Sequence, residues 1–234
     1  MIKLEEVTFR YDDMMMRFDL AILRDSITAI IGPSGAGKST LLSLIAGFEA
    51  PVSGRILIAG LDMTRVPPDQ RPVSMIFQDN NVFGHLDLWS NVALGLAPNL
   101  KLNADQRGAV DAALARVGIL ELRHRRPGEV SGGERSRVAM ARALVRKRPV
   151  LLLDEPFTAL GPALRRDMLD LVKQLQMDRG LTVLMVSHQP EDARYAASHT
   201  AFLHEGRVLA MQPTDELFAS NLPELREYLG DWRS

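Results

Sequence analysis

Residues Gly32-Pro33-Ser34-Gly35-Ala36-Gly37-Lys38-Ser39 satisfy the spacing Gly-x4-Gly-Lys-Ser. That spacing suits one task, holding a polyphosphate. Glycines let consecutive backbone N–H groups turn toward an anion, and a helix starting there adds about half a positive charge. Lys38 would bridge the β- and γ-phosphates, the Ser39 hydroxyl would ligate Mg²⁺, and Thr40 joins the loop's contacts. A second source of metal-binding oxygen is needed. Val150-Leu151-Leu152-Leu153-Asp154-Glu155 provides it, an apolar run closed by two acids. Asp154 would hold the Mg²⁺ shell, while Glu155 orients and polarises an attacking water. Alone, either string has an ordinary explanation, a glycine turn or an acidic turn before Pro156. Together they describe a site for magnesium and a nucleoside triphosphate such as ATP.

These residues need a scaffold of short parallel strands. Residues 27–31, 150–153 and 182–186 are continuous apolar runs, as expected for strands covered on both faces. Residues 2–9, 17–23 and 54–59 alternate apolar and polar, as half-buried strands do, and 73–77 is a further strand. Residues 40–48 read as the helix behind the phosphate loop. Between 79 and 149 the pattern turns helical. Asn103 is a candidate N-cap, and Val110, Ala113, Leu114 and Val117 form one stripe. A second stripe runs through Leu164, Met168, Leu171, Val172 and Leu175. The implied fold is α/β, with a mixed sheet, an antiparallel β portion and an inserted helical subdomain at about 79–149, all in one domain over 1–234.

Composition removes other classes. The 234 residues contain no cysteine, which excludes disulfide scaffolds, zinc thiolates and thiol catalysis. Lys and Arg number 28 against 29 Asp and Glu, so bulk charge selects neither nucleic acid nor a membrane surface. The opening Met1-Ile2-Lys3-Leu4-Glu5-Glu6 is expected not to be an export signal, and no uncharged run reaches the roughly 18 residues of a membrane span. Met14-Met15-Met16 reads as adaptable packing, and His85, His124, His199 and His204 have no ligand spacing.

Val130-Ser131-Gly132-Gly133-Glu134 ahead of a helical stretch supplies the last landmark. It resembles the Leu-Ser-Gly-Gly-Gln signature of the ATP-binding cassette (ABC) family. Gln78 stands where that family has its Q-loop glutamine, His188 where it has its switch histidine, and Tyr11 where an aromatic lies under adenine. The resemblance covers essentially the whole chain. It implies a P-loop ATPase acting as a head-to-tail homodimer around two ATP molecules. Each site would join Lys38, Ser39, Gln78, Asp154, Glu155 and His188 of one copy to Ser131, Gly132 and Gly133 of the other. Gln78 would also reach the metal. Three positions depart from the family pattern: Val130, Glu134, and Gly161, where the D-loop normally ends in aspartate.

Within the family the chain is most similar to importer subunits, and among those to the ATP-binding subunits of bacterial thiamine importers. Residues 16–18, 71–75, 77–86, 91–98 and 100–104 carry that likeness. It implies a peripheral subunit on the cytoplasmic face of the inner membrane, bound to an integral-membrane permease and served by an extracytoplasmic solute-binding protein. Importers of polyamines, iron or similar solutes are the alternative. A nucleic-acid-associated ATPase is a weaker one, prompted by nine Arg and Lys between Leu122 and Pro149. That stretch lacks aromatic residues, and no nucleic-acid partner is expected.

Overall fold

A computed structural model describes residues 1–11, 14–79 and 81–230. Asn80, inside one of the stretches that carry the importer likeness, lies outside the described residues. So do residues 12–13 and 231–234, which the single-domain expectation over 1–234 includes.

The chain begins with β1 (Ile2–Tyr11), β2 (Met14–Ile22), β3 (Ile27–Ile31), α1 (Lys38–Ala46), β4 (Ser53–Ile58), β5 (Leu61–Asp62) and β6 (Val73–Ile76). A helical block follows: α2 (Leu88–Ala93), α3 (Ala104–Arg116) and α4 (Gly132–Val145). The chain returns through β7 (Val150–Asp154), α5 (Pro162–Arg179), β8 (Thr182–Val186), α6 (Pro190–Ala196), β9 (His199–His204) and β10 (Arg207–Pro213). It ends in α7 (Thr214–Ala219) and α8 (Pro223–Leu229).

The described strands form one sheet in the order β5-β4-β1-β2-β10-β9-β3-β8-β7-β6. Strands β9, β3, β8, β7 and β6 are parallel; β5, β4, β1 and β2 are antiparallel. Successive residues of the parallel strands serve opposite faces, which is why those strands read as unbroken apolar runs. Ala29, Leu153 and Met185 pack with α2–α6, whereas Ile30, Leu152 and Leu184 pack with α1 and the antiparallel strands.

Both ends of α1 are set by glycine. Gly37 takes φ 94° as its N-cap, so the helix starts at Lys38 rather than at Thr40 as the hydrophobic pattern suggested. At the other end a Cβ on Gly47 would come within 2.5 Å of the Arg71 guanidinium. Arg71 is 1% exposed and donates to the carbonyls of Leu44, Ile45 and Val66 at 2.7–2.8 Å. Burial pushes its pKa down, yet the carbonyl partners and the negative end of α1 keep a cation acceptable there. Arg71 thus anchors the far end of the helix that begins at the phosphate loop.

Asn103 caps α3 in a full capping box with Gln106, and Val110, Ala113, Leu114 and Val117 are buried. The α5 stripe holds from Met168 to Leu175, but Leu164 is 45% exposed and belongs to the surface beside Gly133. The signature helix begins at Gly132, within the motif rather than after it as the sequence reading has it, because Ser131 caps it. No described helix is long and apolar enough to cross a membrane.

Candidate nucleotide site

Three of the parallel strands deliver chemistry from the same sheet edge. Residue pairs Ile30–Val186 and Asp154–Val186 are in register, so Gly32, Glu155 and His188 all follow strand ends that lie side by side. The loop after β3 is held by close approach. At Gly32 (φ 148°) a Cβ would lie 2.0 Å from the Leu203 carbonyl oxygen, so only glycine fits between loop and β9. The Lys38 ammonium donates to the carbonyls of Gly32 and Pro33, both at 2.8 Å. Burial lowers its pKa, while Glu155 and Asp154 raise it.

A cleft of about 300 Å³ opens above this loop, lined by Ser34, Gly35, Gly37, Lys38, Ser39, Thr40, Glu155, His188, Tyr11, Met14 and Met16. Tyr11, at the end of β1, is 61% exposed and forms a rim on which a planar base can stack. Met16 is buried, and its sulfur would meet a Cβ on Gly37 at 3.0 Å. Met14 and Met16 therefore form a wall of the cleft, a role the sequence reading of plain packing missed. Their period-2 spacing on β2 was the available signal.

The two acids divide the work. The Ser39 hydroxyl donates to Asp154 Oδ1 at 3.0 Å, and burial raises the Asp154 pKa against the lowering effect of Ser39, Lys38 and His188. Glu155 leaves the strand conformation at φ 49°, its N–H bonded to the Val186 carbonyl, and its Oε1 lies 2.5 Å from His188 Nε2. A hydroxyl and a carboxylate side by side are hard oxygen donors of the kind Mg²⁺ prefers, with the remaining positions left to water and phosphate. Those two residues fit the ion. Gly32, Pro33 and Ala36 form the base of the loop and do not line the cleft. Gln78 is exposed in the turn after β6 and does not line it either.

Ser131, Gly132 and Gly133 lie apart from this cleft. Ser131 is exposed at the start of α4, in a capping box with Glu134. Its N–H and hydroxyl both donate to Glu134 Oε2, at 2.7 and 2.8 Å. One chain therefore holds a complete phosphate loop and, elsewhere, a helix start with two glycines that is capped by its own Ser131 and Glu134.

A family model described as ABC transporter matches residues 15–158. The chain is also 55% identical, over all of its own 234 residues and 97% of the relative, to the thiamine import ATP-binding protein ThiQ of Brucella suis. The chain belongs to the ABC transporter family. It is the ATP-binding component, an α/β ATPase whose hydrolysis is coupled to transport. Two solved cassettes agree in fold. CbiO1 of Clostridium perfringens, part of the ABC transporter complex cbiONQ, is 31% identical with a TM-score of 0.84, covering 97% of this chain and 93% of that one. The ATP-binding cassette MJ0796, solved as a dimer in a post-hydrolysis state with ADP and Pi, is 27% identical with a TM-score of 0.78, covering 92% and 99%.

Four of the nine basic residues that invited a nucleic-acid reading are engaged within the cassette. Arg135 donates to the Val130 carbonyl at 2.9 Å, Arg137 to that of Val117 at 2.8 Å, and Arg148 to that of Asp69 at 3.1 Å. Arg142 donates to the Asn81 carbonyl at 2.7 Å and lies over the Phe83 ring. These four side chains tie loops to the helical block through backbone carbonyls.

Proposed function

We propose that this chain is the ATP-hydrolysing subunit of an importer that brings thiamine into the cell, working as a homodimer on the cytoplasmic face of the inner membrane. The observation that carries the enzymatic part is one cleft containing Lys38, Ser39, Glu155 and His188 beneath an exposed Tyr11. Full-length identity to a thiamine import ATP-binding protein supports the cargo. We also assign the chain to one cassette domain over 1–234, with residues about 79–149 as its helical insertion.

Adenine stacks on Tyr11, the loop from Gly32 to Thr40 receives the phosphates through its N–H groups, and Lys38 exchanges its two carbonyl partners for phosphate oxygens. Ser39 and Asp154, with Gln78 as a further ligand, would hold Mg²⁺, which would supply neutralisation of phosphate charge. Glu155 orients the attacking water, and His188, already hydrogen-bonded to Glu155, holds the γ-phosphate. Ser131, Gly132 and Gly133 of the partner subunit close the site from the other side. Loss of the γ-phosphate then removes contacts on which the closed dimer depends.

Permease docking fits a second cleft of about 300 Å³, bordered by Met75, Phe77, Phe83, Leu94, Arg142 and Arg146. It follows the Gln78 turn, so a helix seated there would press on the segment carrying Gln78. Asn91, fully buried, fixes the Phe83 wall through hydrogen bonds to the N–H and carbonyl of Phe83. The test is reconstitution with the cognate permease and a solute-binding protein. Thiamine-loaded binding protein should stimulate ATP hydrolysis, whereas polyamine or iron should not. Equal stimulation by all of them would overturn the cargo assignment.

A further inference from the structure

We propose that Arg165 and Asp192 are positioning residues that together hold the His188 imidazole against Glu155, with Arg165 tying the His188 turn to the loop at residues 158–161. The inference rests on the assignment of Glu155 and His188 to the hydrolytic step. It concerns residues that line no part of the cleft.

His188 is exposed and flanked by Ser187 and Gln189, and each neighbour is fixed from a different element. The Ser187 hydroxyl, buried, has one proton to give and gives it to Asp192 Oδ2 at 2.7 Å. The Ser187 hydroxyl oxygen in turn accepts the Gln189 N–H at 3.0 Å. The backbone N–H of Ser187 donates to the Ile30 carbonyl, which fastens that side of the turn to β3. Asp192 is a carboxylate in a dry site: burial raises its pKa, and the Ser187 hydroxyl and Arg165 work against that shift. A buried acid with so specific a partner fixes geometry more than it adds stability.

The other flank is held from α5. Arg165 donates through one guanidinium nitrogen to the Gln189 side-chain carbonyl and through the other to the Leu160 carbonyl, the latter at 3.0 Å. The loop that ends at Leu160 begins at Glu155, whose carbonyl accepts both the N–H and the hydroxyl of Thr158. The contacts therefore close a ring from the Glu155 side chain through His188, Gln189, Arg165 and Leu160 back to the Glu155 backbone. A planar fork with two donors is suited to such a bridge, and lysine is not. Gly161 offers no side chain to the opposite subunit, so the Leu160 carbonyl and Arg165 give this loop a connection to the histidine within its own chain.

Steady-state ATP hydrolysis and equilibrium nucleotide binding, measured on the full chain, test the ring. Arg165→Ala and Asp192→Ala should each lower kcat about ten-fold, with KM and nucleotide affinity within about two-fold of wild type. Asp192→Asn keeps an acceptor for the Ser187 hydroxyl and should recover most of the loss. Gln189→Ala, at an exposed position that folding does not depend on, should reproduce the Arg165→Ala defect, and the double variant should be no worse than either single one. Additive losses, parallel loss of affinity and kcat, or wild-type turnover by Arg165→Ala beside an inactive Glu155→Gln would each overturn the inference. Full turnover by Glu155→Gln would instead overturn the reading of the site, and this inference with it.

Discussion

The Lys38 cleft and the Ser131 helix start are both built for anions, yet one is assembled and the other is not. Around Lys38 the chain supplies loop, cation, metal-binding oxygens and a paired acid and imidazole, drawn from adjacent strand ends. At Ser131 it supplies an exposed N-terminus of α4, whose donors are occupied by the chain's own Glu134. On the proposed reading, binding is a property of one copy, while closure needs a second. Variants on the two sides should therefore fail in different assays.

The largest effect should come from Glu155→Gln, which keeps the shape and removes the charge that orients water. We expect kcat to fall on the order of 100- to 1,000-fold with ATP still bound. ATP hydrolysis beside nucleotide affinity measures it, and retained turnover would remove the assigned role. Lys38→Ala comes next. Losing the one buried ammonium at the loop should weaken ATP binding itself, about 10- to 100-fold in Kd, as read by titration calorimetry on the isolated chain.

The cleft was legible in the sequence, because phosphate binding needs glycine and lysine at fixed offsets and parallel strands leave unbroken apolar runs. β3 and β8 appear with the ends their composition implies, Ile27–Ile31 and Thr182–Val186. Helix ends were less legible. α1 and α4 begin at Lys38 and Gly132 because Gly37 and Ser131 cap them, and hydrophobic periodicity carries no information about caps. β9 and β10, and the helices after them, were not anticipated, since their burial depends on partners far away in sequence. Arg71 shows the same limit. A buried arginine at four carbonyls is a tertiary fact, and its sequence context suggested only a family likeness.

The signature side predicts a smaller loss that monomer assays should miss. Ser131→Ala removes both the helix cap and the hydroxyl offered to the opposite nucleotide. Its cost to α4 is about 1 kcal/mol, typical for a lost N-cap. ATP-dependent dimerisation of the hydrolysis-blocked Glu155→Gln protein should weaken about ten-fold, with nucleotide binding by the single chain unchanged. Ultracentrifugation with and without ATP separates the two. Equal losses in both assays would place Ser131 outside the trans site.

Glu134→Gln should have the smallest effect and the most specific one. In the free chain the Glu134 carboxylate holds the Ser131 hydroxyl, so a phosphate arriving there must displace that bond and tolerate a nearby negative charge. Glutamine can keep the cap but removes the repulsion, and dimerisation with ATP should tighten a few-fold. The same carboxylate gives a second readout. The Ser131 N–H and hydroxyl hold its pKa below the usual glutamate range. A lowered folded-state pKa stabilises the fold above the ordinary range, and that contribution disappears as pH falls through the lower folded value. Glu134→Gln should therefore flatten the acid side of the Tm-against-pH curve by lowering its neutral plateau, while leaving the most acidic values nearly in place. If the variant instead lost stability equally at every pH, the Glu134 charge would contribute nothing to the cap, and the contrast between a finished site and a half-site would need another explanation.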